Sequence, residues 1–243
     1  HLVLPMQSDE TIGITGSKLY YPGRTLIQHA GGYITSPQAL PGHYGLREAD
    51  SGQHNVARDV DYVIGAALAV RREVIAQIGL MDERDFLYYE GCDWCTRARR
   101  AGYRVVYVPQ ATAVHVESIT VARNSVGYFQ NFHTSRWRYL LKHFPIATIL
   151  GETIPTEAAW LGTLPAVHRH GAAHAYVATL KKLRQIWQAR EESNQALPTP
   201  DEENQVRLAL LSLRQTAWQS PHLAAEAGSE QSLAKKGVVR ERP

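Results

Sequence analysis

The stretch that decides the fold is Gly65 to His115, GAALAVRREVIAQIGLMDERDFLYYEGCDWCTRARRAGYRVVYVPQATAVH. Apolar runs of strand length flank segments with helical spacing, which is typical of an α/β protein. Five carboxylates lie between the apolar runs, and a histidine ends the stretch. The carboxylates are Asp82, Glu83, Asp85, Glu90 and Asp93. Such acids, with a histidine at the end of a strand, are candidates for proton transfer and metal binding.

Outward from this stretch, strand-like and helix-like segments alternate. The predicted strands lie within 12–15, 19–21, 26–34, 61–70, 103–108 and 111–116, the last two separated by Pro109. The predicted helices cover 71–78, 91–101 and 124–144. Segment 36–58 is too polar for a core and predicts a long irregular connection. The order of elements indicates an α/β domain over 1–145.

The character of the chain changes after Pro145. Helices are predicted over 146–160 and 172–190, so that 146–190 forms a helical extension. The second helix carries an apolar stripe with basic residues around it; the stripe comprises Tyr176, Leu180, Leu183 and Trp187. We expect this stripe to pack on its own domain, and docking on an acidic membrane surface is the alternative. Residues 191–243 predict a polar, largely disordered tail with one short helix near 206–218.

Composition points to an ordinary soluble globular protein. The chain has 243 residues, 44% hydrophobic and 20% charged, and no apolar run long enough to span a membrane. Its two cysteines are too few for a disulfide framework, which favours a reducing compartment such as the cytoplasm. Because the first residue is His1 rather than Met, we expect the chain to be part of a longer protein.

Charge is unevenly distributed around a net value of +3. Between Trp94 and Pro145 there are eight arginines and lysines against one acid, Glu117. A basic face beside a cluster of carboxylates suits a phosphate-bearing small molecule or a lipid phosphate. The simpler alternative is a solvated helix face.

Four segments together resemble the C-terminal part of a family 2 glycosyltransferase of the GT-A fold, in its rhamnosyltransferase-like branch. They are IGITGSKLYYPGRTLIQHAGG (12–32), VDYVIGAALAVRREVIAQIGLMDE (60–83), FLYYEGCDWCTRARRAGYRVVYVPQATAVHVES (86–118) and RWRYLLKHFP (136–145). The resemblance implies a partial GT-A domain that lacks its nucleotide-binding first half. It further implies inverting transfer of a sugar from a nucleotide-diphosphate sugar to an acceptor hydroxyl, in cell-surface polysaccharide or glycan synthesis.

The resemblance also implies roles for individual residues. In the family the catalytic base is the second acid of a Glu-Asp or Glu-Glu pair, and a further Asp follows two residues later. Here those positions hold Glu90, Gly91 and Asp93, so the base position has no side chain. Glu90 and Asp93 are therefore the candidate catalytic residues.

The remaining candidates bind substrate or metal. Gly65 and Ala66 match a small-residue turn at the sugar and acceptor, and Trp94 matches a position that lines the acceptor side. Arg97 is a further candidate for substrate binding. Its spacing from Asp93 also allows an ion pair between the two residues on one helix face. His115 matches a histidine that completes a site for Mn²⁺ or Mg²⁺, whose Asp-x-Asp-like partner motif is absent from this chain.

The implied partners are a nucleotide-diphosphate sugar donor and a glycan or lipid-linked glycan acceptor. Peripheral contact with the inner face of the cell membrane is expected, and nucleic acid is not. Three alternatives stay open: a redox dithiol at Cys92 and Cys95, a nucleic-acid-binding module on helix 124–144, and a catalytically impaired transferase relative that binds glycans or partner proteins.

Overall fold

The computed structural model describes residues 1–84, 87–116 and 124–195. In these residues the strands are β1 Ile12–Tyr20, β2 Ile27–His29, β3 Gly32–Ile34, β4 Pro41–His43, β5 Arg58–Asp59, β6 Leu68–Val70 and β7 Arg104–Val114. The helices are α1 Leu4–Ser8, α2 Arg72–Ile78, α3 Glu90–Arg100, α4 Val126–His143, α5 Ile146–Thr148, α6 Ile154–Gly162, α7 Ala166–Lys181 and α8 Leu183–Gln195, with a π-helical turn over Ile149–Thr153 between α5 and α6. Predictions for Asp85, Glu117 and the tail beyond 195, including the helix near 206–218, lie outside the described residues.

Strand β1 is the centre of the main sheet. It pairs in parallel with β7 on one side and antiparallel with β2 and β6 on the other, while β5 adds to the far side of β7. The residues of β1 from Ile12 to Leu19 are all buried, as expected for a strand covered on both faces. The prediction of two short strands at 12–15 and 19–21 is therefore wrong, because the polar residues between them are also buried in one continuous strand.

Pro109 lies inside β7 and does not end it. The pairing with β1 passes from Val108 opposite Ser17 directly to Thr112 opposite Lys18, so residues 109–111 bulge out of the ladder. Proline has no N–H to donate, and a bulge lets the strand resume its pairing beyond it. The two strands predicted on either side of Pro109 are thus one.

Two further boundaries differ from prediction. Of the strand expected over 61–70, only Leu68–Val70 forms a strand; Tyr62 makes an isolated bridge with Gly32, and Val63 packs against Gly16 of β1. The helix expected over 172–190 begins earlier, at Ala166, and is interrupted at Lys182 between α7 and α8. The irregular connection over 36–58 contains the short strand β4, which pairs with β3.

The C-terminal helices pack on α4. Helices α7 and α8 both contact α4, and the buried face of α7 consists of small residues, among them Gly171, Ala172 and Ala175. Among the described residues, no helix combines the length and apolar character that spanning a bilayer requires. The α/β class and the helical extension after Pro145 are confirmed.

Within the described residues, which do not include Arg123, the predicted basic face is largely absent. Arg104, Arg136, Arg138 and Lys142 are buried, and each pairs with a carboxylate. These ion pairs connect secondary-structure elements, so the charges are not available to bind a phosphate. For the same reason, these residues of α4 do not form the basic surface that nucleic-acid binding would require.

Candidate active site

Helix α3 begins at Glu90 after two residues with left-handed backbone. Tyr88 and Tyr89 have φ of 65° and 61°, and such a conformation costs a bulky residue on the order of 1–3 kcal/mol. The ring of Tyr89 is held between Phe132 and Tyr139, and its hydroxyl donates to the Ala39 carbonyl at 2.7 Å. Packing therefore compensates for strain that fixes the direction in which α3 starts. Strain of this kind clusters at functional sites.

Glu90 has a buried carboxylate oxygen without a partner. Its Oε2 is inaccessible to solvent and accepts no hydrogen bond within the described residues. The nearby arginines are engaged elsewhere: Arg99 pairs with Asp61 at 2.8 Å, and Arg100 donates to the His143 carbonyl. Glu90 is thus not the exposed counter-ion of these arginines. A buried carboxylate oxygen without a partner is costly, while the side chain of Glu90 as a whole is only half-buried.

Gly91 places the first turn of α3 against the segment 63–65. A Cβ atom at Gly91 would lie 3.2 Å from the Val63 carbonyl oxygen and 3.7 Å from the Gly65 nitrogen. Gly65 and Ala66 are themselves exposed. The structure therefore brings Gly65 beside the helix start that carries Glu90, and it leaves this turn open to a ligand.

Asp93 is enclosed by basic side chains. It is 1% exposed, accepts hydrogen bonds from Arg97 at 2.8 Å and from His143 at 2.7 Å, and forms an ion pair with Lys142 at 2.7 Å. Burial alone would raise the pKa of Asp93, but the hydrogen bond from His143 and the charges of Lys142 and Arg97 outweigh it and hold the pKa well below its usual range. Both oxygens are occupied, which favours a structural role over proton transfer.

Trp94 and Arg97 hold α3 to the end of α2. Trp94 is 7% exposed, and its indole N–H donates to the Gly79 carbonyl at 2.9 Å. Besides Asp93, Arg97 donates to the carbonyls of Ile78 and Leu80. Trp94 is therefore committed to packing, whereas Arg97 also contributes to the lining of a cavity.

His115 follows β7 at the edge of the sheet. Its backbone N–H donates to the Tyr20 carbonyl at 3.0 Å, and its Nδ1 lies 2.9 Å from the Gln28 side-chain oxygen. A neutral ring that donates through Nδ1 keeps Nε2 free as a ligand, the usual arrangement of a metal-binding histidine. Within the described ranges, however, no three His, Cys, Asp or Glu side chains come together to hold a metal.

The loop beside His115 is anchored by a buried lysine that the sequence did not single out. Lys18 of β1 donates to Asp50 at 2.8 Å and to Asn55 at 2.6 Å, and the Tyr20 hydroxyl also donates to Asp50. Burial acts to raise the pKa of Asp50, but its hydrogen bonds to Lys18 and Tyr20 prevail and lower it to about 2. In the sequence, the only sign of this buried lysine is its position within an otherwise apolar strand.

The cysteines do not form a redox site. Cys92 and Cys95 are free thiols buried within α3. Burial raises the pKa of both, to about 12 for Cys95. A thiol with a raised pKa is a poor nucleophile, so the dithiol alternative has no support.

A cavity of about 320 Å³ lies between the end of α2, α3, α4 and α8. Its charged lining includes Asp82, Arg84, Lys142 and Glu192, which pair with one another or with neighbouring groups. Neither Glu90 nor Gly65 contributes to its lining. The cavity is therefore separate from the open turn at the start of α3.

Comparison with known proteins identifies the class to which this fold and site belong. The profile of the glycosyltransferase-like family 2 matches residues 10–139, more than half of the chain. The chain belongs to this family, and the predicted resemblance is confirmed.

Individual relatives fall within the same class. The chain is 35% identical over 83 residues to the N-acetylglucosaminyl-diphospho-decaprenol L-rhamnosyltransferase of Mycobacterium tuberculosis, in strains CDC 1551 and H37Rv. It is 30% identical over 84 residues to the low-salt glycan biosynthesis hexosyltransferase Agl10 of Haloferax volcanii. These matches cover 34% and 35% of the chain and 27% of each relative. The chain thus matches about a quarter of the length of these curated relatives.

Proposed function

We propose that this chain is the acceptor side of an inverting glycosyltransferase in cell-surface polysaccharide or glycan synthesis. The observation that carries the proposal is the half-buried side chain of Glu90, which forms no hydrogen bond or ion pair within the described residues, at a strained helix start. The exposed turn of Gly65 and Ala66 lies beside that start. A carboxylate in such a place can accept a proton from a hydroxyl group bound over the turn.

In the proposed reaction Glu90 takes the proton of the acceptor hydroxyl. The acceptor oxygen forms a bond to the anomeric carbon of the donor sugar while the bond from that carbon to the diphosphate breaks on the opposite face. The products are an inverted glycoside and a nucleoside diphosphate. Asp93 is a positioning residue here, because its ion pairs fix the helix on which Glu90 lies.

A divalent metal, Mn²⁺ or Mg²⁺, would supply the charge that stabilises the departing diphosphate. His115 fits such an ion through its Nε2, since Gln28 engages the other ring nitrogen. The remaining ligands would include phosphate oxygens of the donor. We expect a nucleotide-diphosphate sugar as donor.

A lipid-linked glycan is the acceptor that we favour. The name of the mycobacterial relative specifies a diphospho-decaprenol substrate, which is a lipid-linked sugar. An acceptor of this kind would bring the protein to the inner face of the cell membrane as a peripheral, otherwise cytoplasmic, protein.

Replacement of the proposed base tests the function. Glu90→Gln keeps the size of the side chain and removes its basicity, so we expect kcat to fall by about 10²- to 10⁴-fold with little change in KM. Transfer is followed as nucleoside diphosphate release from a panel of nucleotide sugars with lipid-linked acceptors. Glu73→Gln, an exposed acid of α2, is the matched control and should retain activity. Equal activity of wild type and Glu90→Gln would refute the role of Glu90.

The second candidate function is an impaired transferase relative that binds glycans or partner proteins. Gly91 favours it, because the position of the family's base has no side chain and the Val63 carbonyl lies 3.2 Å from where a Cβ would be. Gly91→Asp distinguishes the two. Transfer that appears only in Gly91→Asp supports the impaired relative, whereas transfer by wild type that depends on Glu90 excludes it.

A further inference from the structure

Helices α7 and α8 present apolar side chains to solvent at their junction. The exposed fractions are 53% for Val177, 69% for Leu180, 41% for Leu183 and 44% for Trp187. Lys181, Lys182 and Arg184 lie among them and are also exposed. We call these seven residues the α7–α8 surface. Large apolar groups interleaved with cations in this way differ from an ordinary solvated helix.

Six of the seven residues of the α7–α8 surface lie on one side because the two helices are nearly continuous. The Lys182 N–H still donates to the Ala178 carbonyl, and the Ile186 N–H donates to the Lys182 carbonyl. At 3.6 residues per turn, Val177, Leu180, Arg184 and Trp187 fall within an arc of about 80°, and Lys181 and Leu183 lie about 40° beyond its two ends, whereas Lys182 lies on the far side of the helix axis. The buried side of both helices packs inward; its residues include Ala172, Ala175, Thr179, Ile186 and Ala189. Within the described residues, the packing of these helices therefore does not involve the exposed stripe.

The predicted stripe therefore divides. Tyr176 turns inward and donates to Glu157 at 2.6 Å, whereas Leu180, Leu183 and Trp187 remain exposed. Packing on its own domain accounts for only one of the four residues of that stripe.

The charge of the α7–α8 surface indicates what covers it. In the part of the chain that the structure describes, Lys181, Lys182 and Arg184 form no ion pair with a carboxylate. Within α7 and α8, acidic residues occur only beyond Trp187. Glu191 is exposed, and Glu192 pairs with Arg84 at 3.0 Å. A partner must therefore accept both cations and apolar side chains, which is the chemistry of an anionic lipid headgroup layer over acyl chains.

We propose that the α7–α8 surface docks this protein on an anionic membrane surface. Leu180, Leu183 and Trp187 enter the boundary between headgroups and acyl chains, where tryptophan is favoured. Lys181 and Arg184 contact the lipid phosphates, and Lys182 adds positive charge at the junction. The inference rests on the proposed function in one respect: a lipid-linked acceptor has to be reached at a membrane.

Vesicle flotation tests the proposal without an activity assay. The full chain is mixed with phosphatidylcholine vesicles that either contain or lack phosphatidylglycerol. We expect flotation only with phosphatidylglycerol, weakened by added salt, because the contact is partly electrostatic. Two variants should each weaken it about tenfold or more: the apolar variant Leu180→Ser/Trp187→Ser, and the charge variant Lys181→Gln/Lys182→Gln/Arg184→Gln.

Matched controls separate this surface from general effects. Leu46→Ser/Val56→Ser removes apolar groups that are also exposed, and Arg24→Gln/Arg47→Gln/Arg72→Gln removes the same amount of charge elsewhere. Both controls should float like wild type. Circular dichroism confirms that each variant is folded.

Several outcomes would overturn the proposal. They are absence of flotation by wild type, equal flotation with neutral vesicles, and equal losses in the controls. Self-association in solution that Leu180→Ser/Trp187→Ser abolishes would instead assign the surface to a second copy of the chain. Glu90→Gln should float normally, so that failure of the proposed chemistry and failure of membrane docking are distinguishable.

Discussion

Asp93 is the most heavily paired carboxylate between α3 and α4. Removal of its charge leaves Lys142 and Arg97 buried with fewer counter-charges. Loss of one partner of a buried ion pair costs about 3–5 kcal/mol, so we expect Asp93→Asn to lower the free energy of unfolding by about 3 kcal/mol. Urea denaturation measures the change.

The control for Asp93 is a carboxylate in a surface pair. Glu192, whose side chain is 63% exposed, pairs with Arg84, and Glu192→Gln should cost less than about 1 kcal/mol. If the free energy of unfolding falls by equally small amounts in both variants, the ion pairs around Asp93 contribute no more to stability than a surface pair does. If folded Asp93→Asn loses kcat whereas Glu90→Gln does not, Asp93 rather than Glu90 takes the proton.

At Gly91 the sequence predicts one property, and the tertiary structure adds another. The resemblance predicts that this glycine occupies the position of the family's base. The sequence could not show that this glycine lies against the Val63 carbonyl, because that contact joins residues far apart in the chain. The free Oε2 of Glu90 is likewise a product of tertiary packing.

At the scale of elements, the contact of α4 with α7 depends on Gly171. A Cβ atom there would lie 2.5 Å from the Phe129 Cβ and 2.8 Å from the Gln130 backbone nitrogen. Backbone cannot yield without separating the helices, so we expect Gly171→Ala to destabilise the protein by about 1–3 kcal/mol. Thermal unfolding is a suitable measurement.

Gly162→Ala is the control, since a Cβ at Gly162 meets no atom within 4 Å. It should leave stability unchanged or raise it by up to about 1 kcal/mol through helix propensity. A Gly171→Ala variant as stable as Gly162→Ala would contradict the close packing of α4 on α7.

Elements with strong local signals were predictable, and those set by tertiary pairing were not. Helices α2, α3 and α4 have clear periodicity, and their ends fall within two residues of the predicted ones. The continuity of β7 through Pro109 depends on its partner β1, which no local pattern specifies. The left-handed Tyr88 and Tyr89 are equally invisible, because bulky aromatic residues normally avoid that conformation.

At the scale of the whole molecule, the sequence counts charges but does not pair them. Eight basic residues between Trp94 and Pro145 predicted a phosphate-binding face, yet several of them neutralise buried acids such as Asp82, Asp93 and Glu157. Sequence distance hides these pairs: Arg138 and Asp82 are 56 residues apart. Burial of histidines is hidden in the same way.

Buried histidines make the whole fold sensitive to acid. Burial lowers the pKa of His143 to about 4 and that of His133 to about 3, and it also lowers the pKa of His29 and His43. The unfolded chain, with ordinary histidine pKa values near 6.5, binds more protons than the folded chain below that pH. Stability is therefore fully present above about pH 6.5 and falls as the pH is lowered towards the folded pKa values.

Between about pH 7.5 and about pH 5, we expect His133 and His143 each to cost about 2 kcal/mol of unfolding free energy. His133→Phe should remove the contribution of His133, about 2 kcal/mol, from this pH dependence. A phenylalanine ring suits the site, because both ring nitrogens of the buried His133 lack partners and the ring lies against Phe132 and Trp160. Urea denaturation at the two pH values measures the effect, and His170→Asn on the exposed face of α7 controls for loss of a histidine. An unchanged pH dependence in His133→Phe would show that His133 does not resist protonation in the fold.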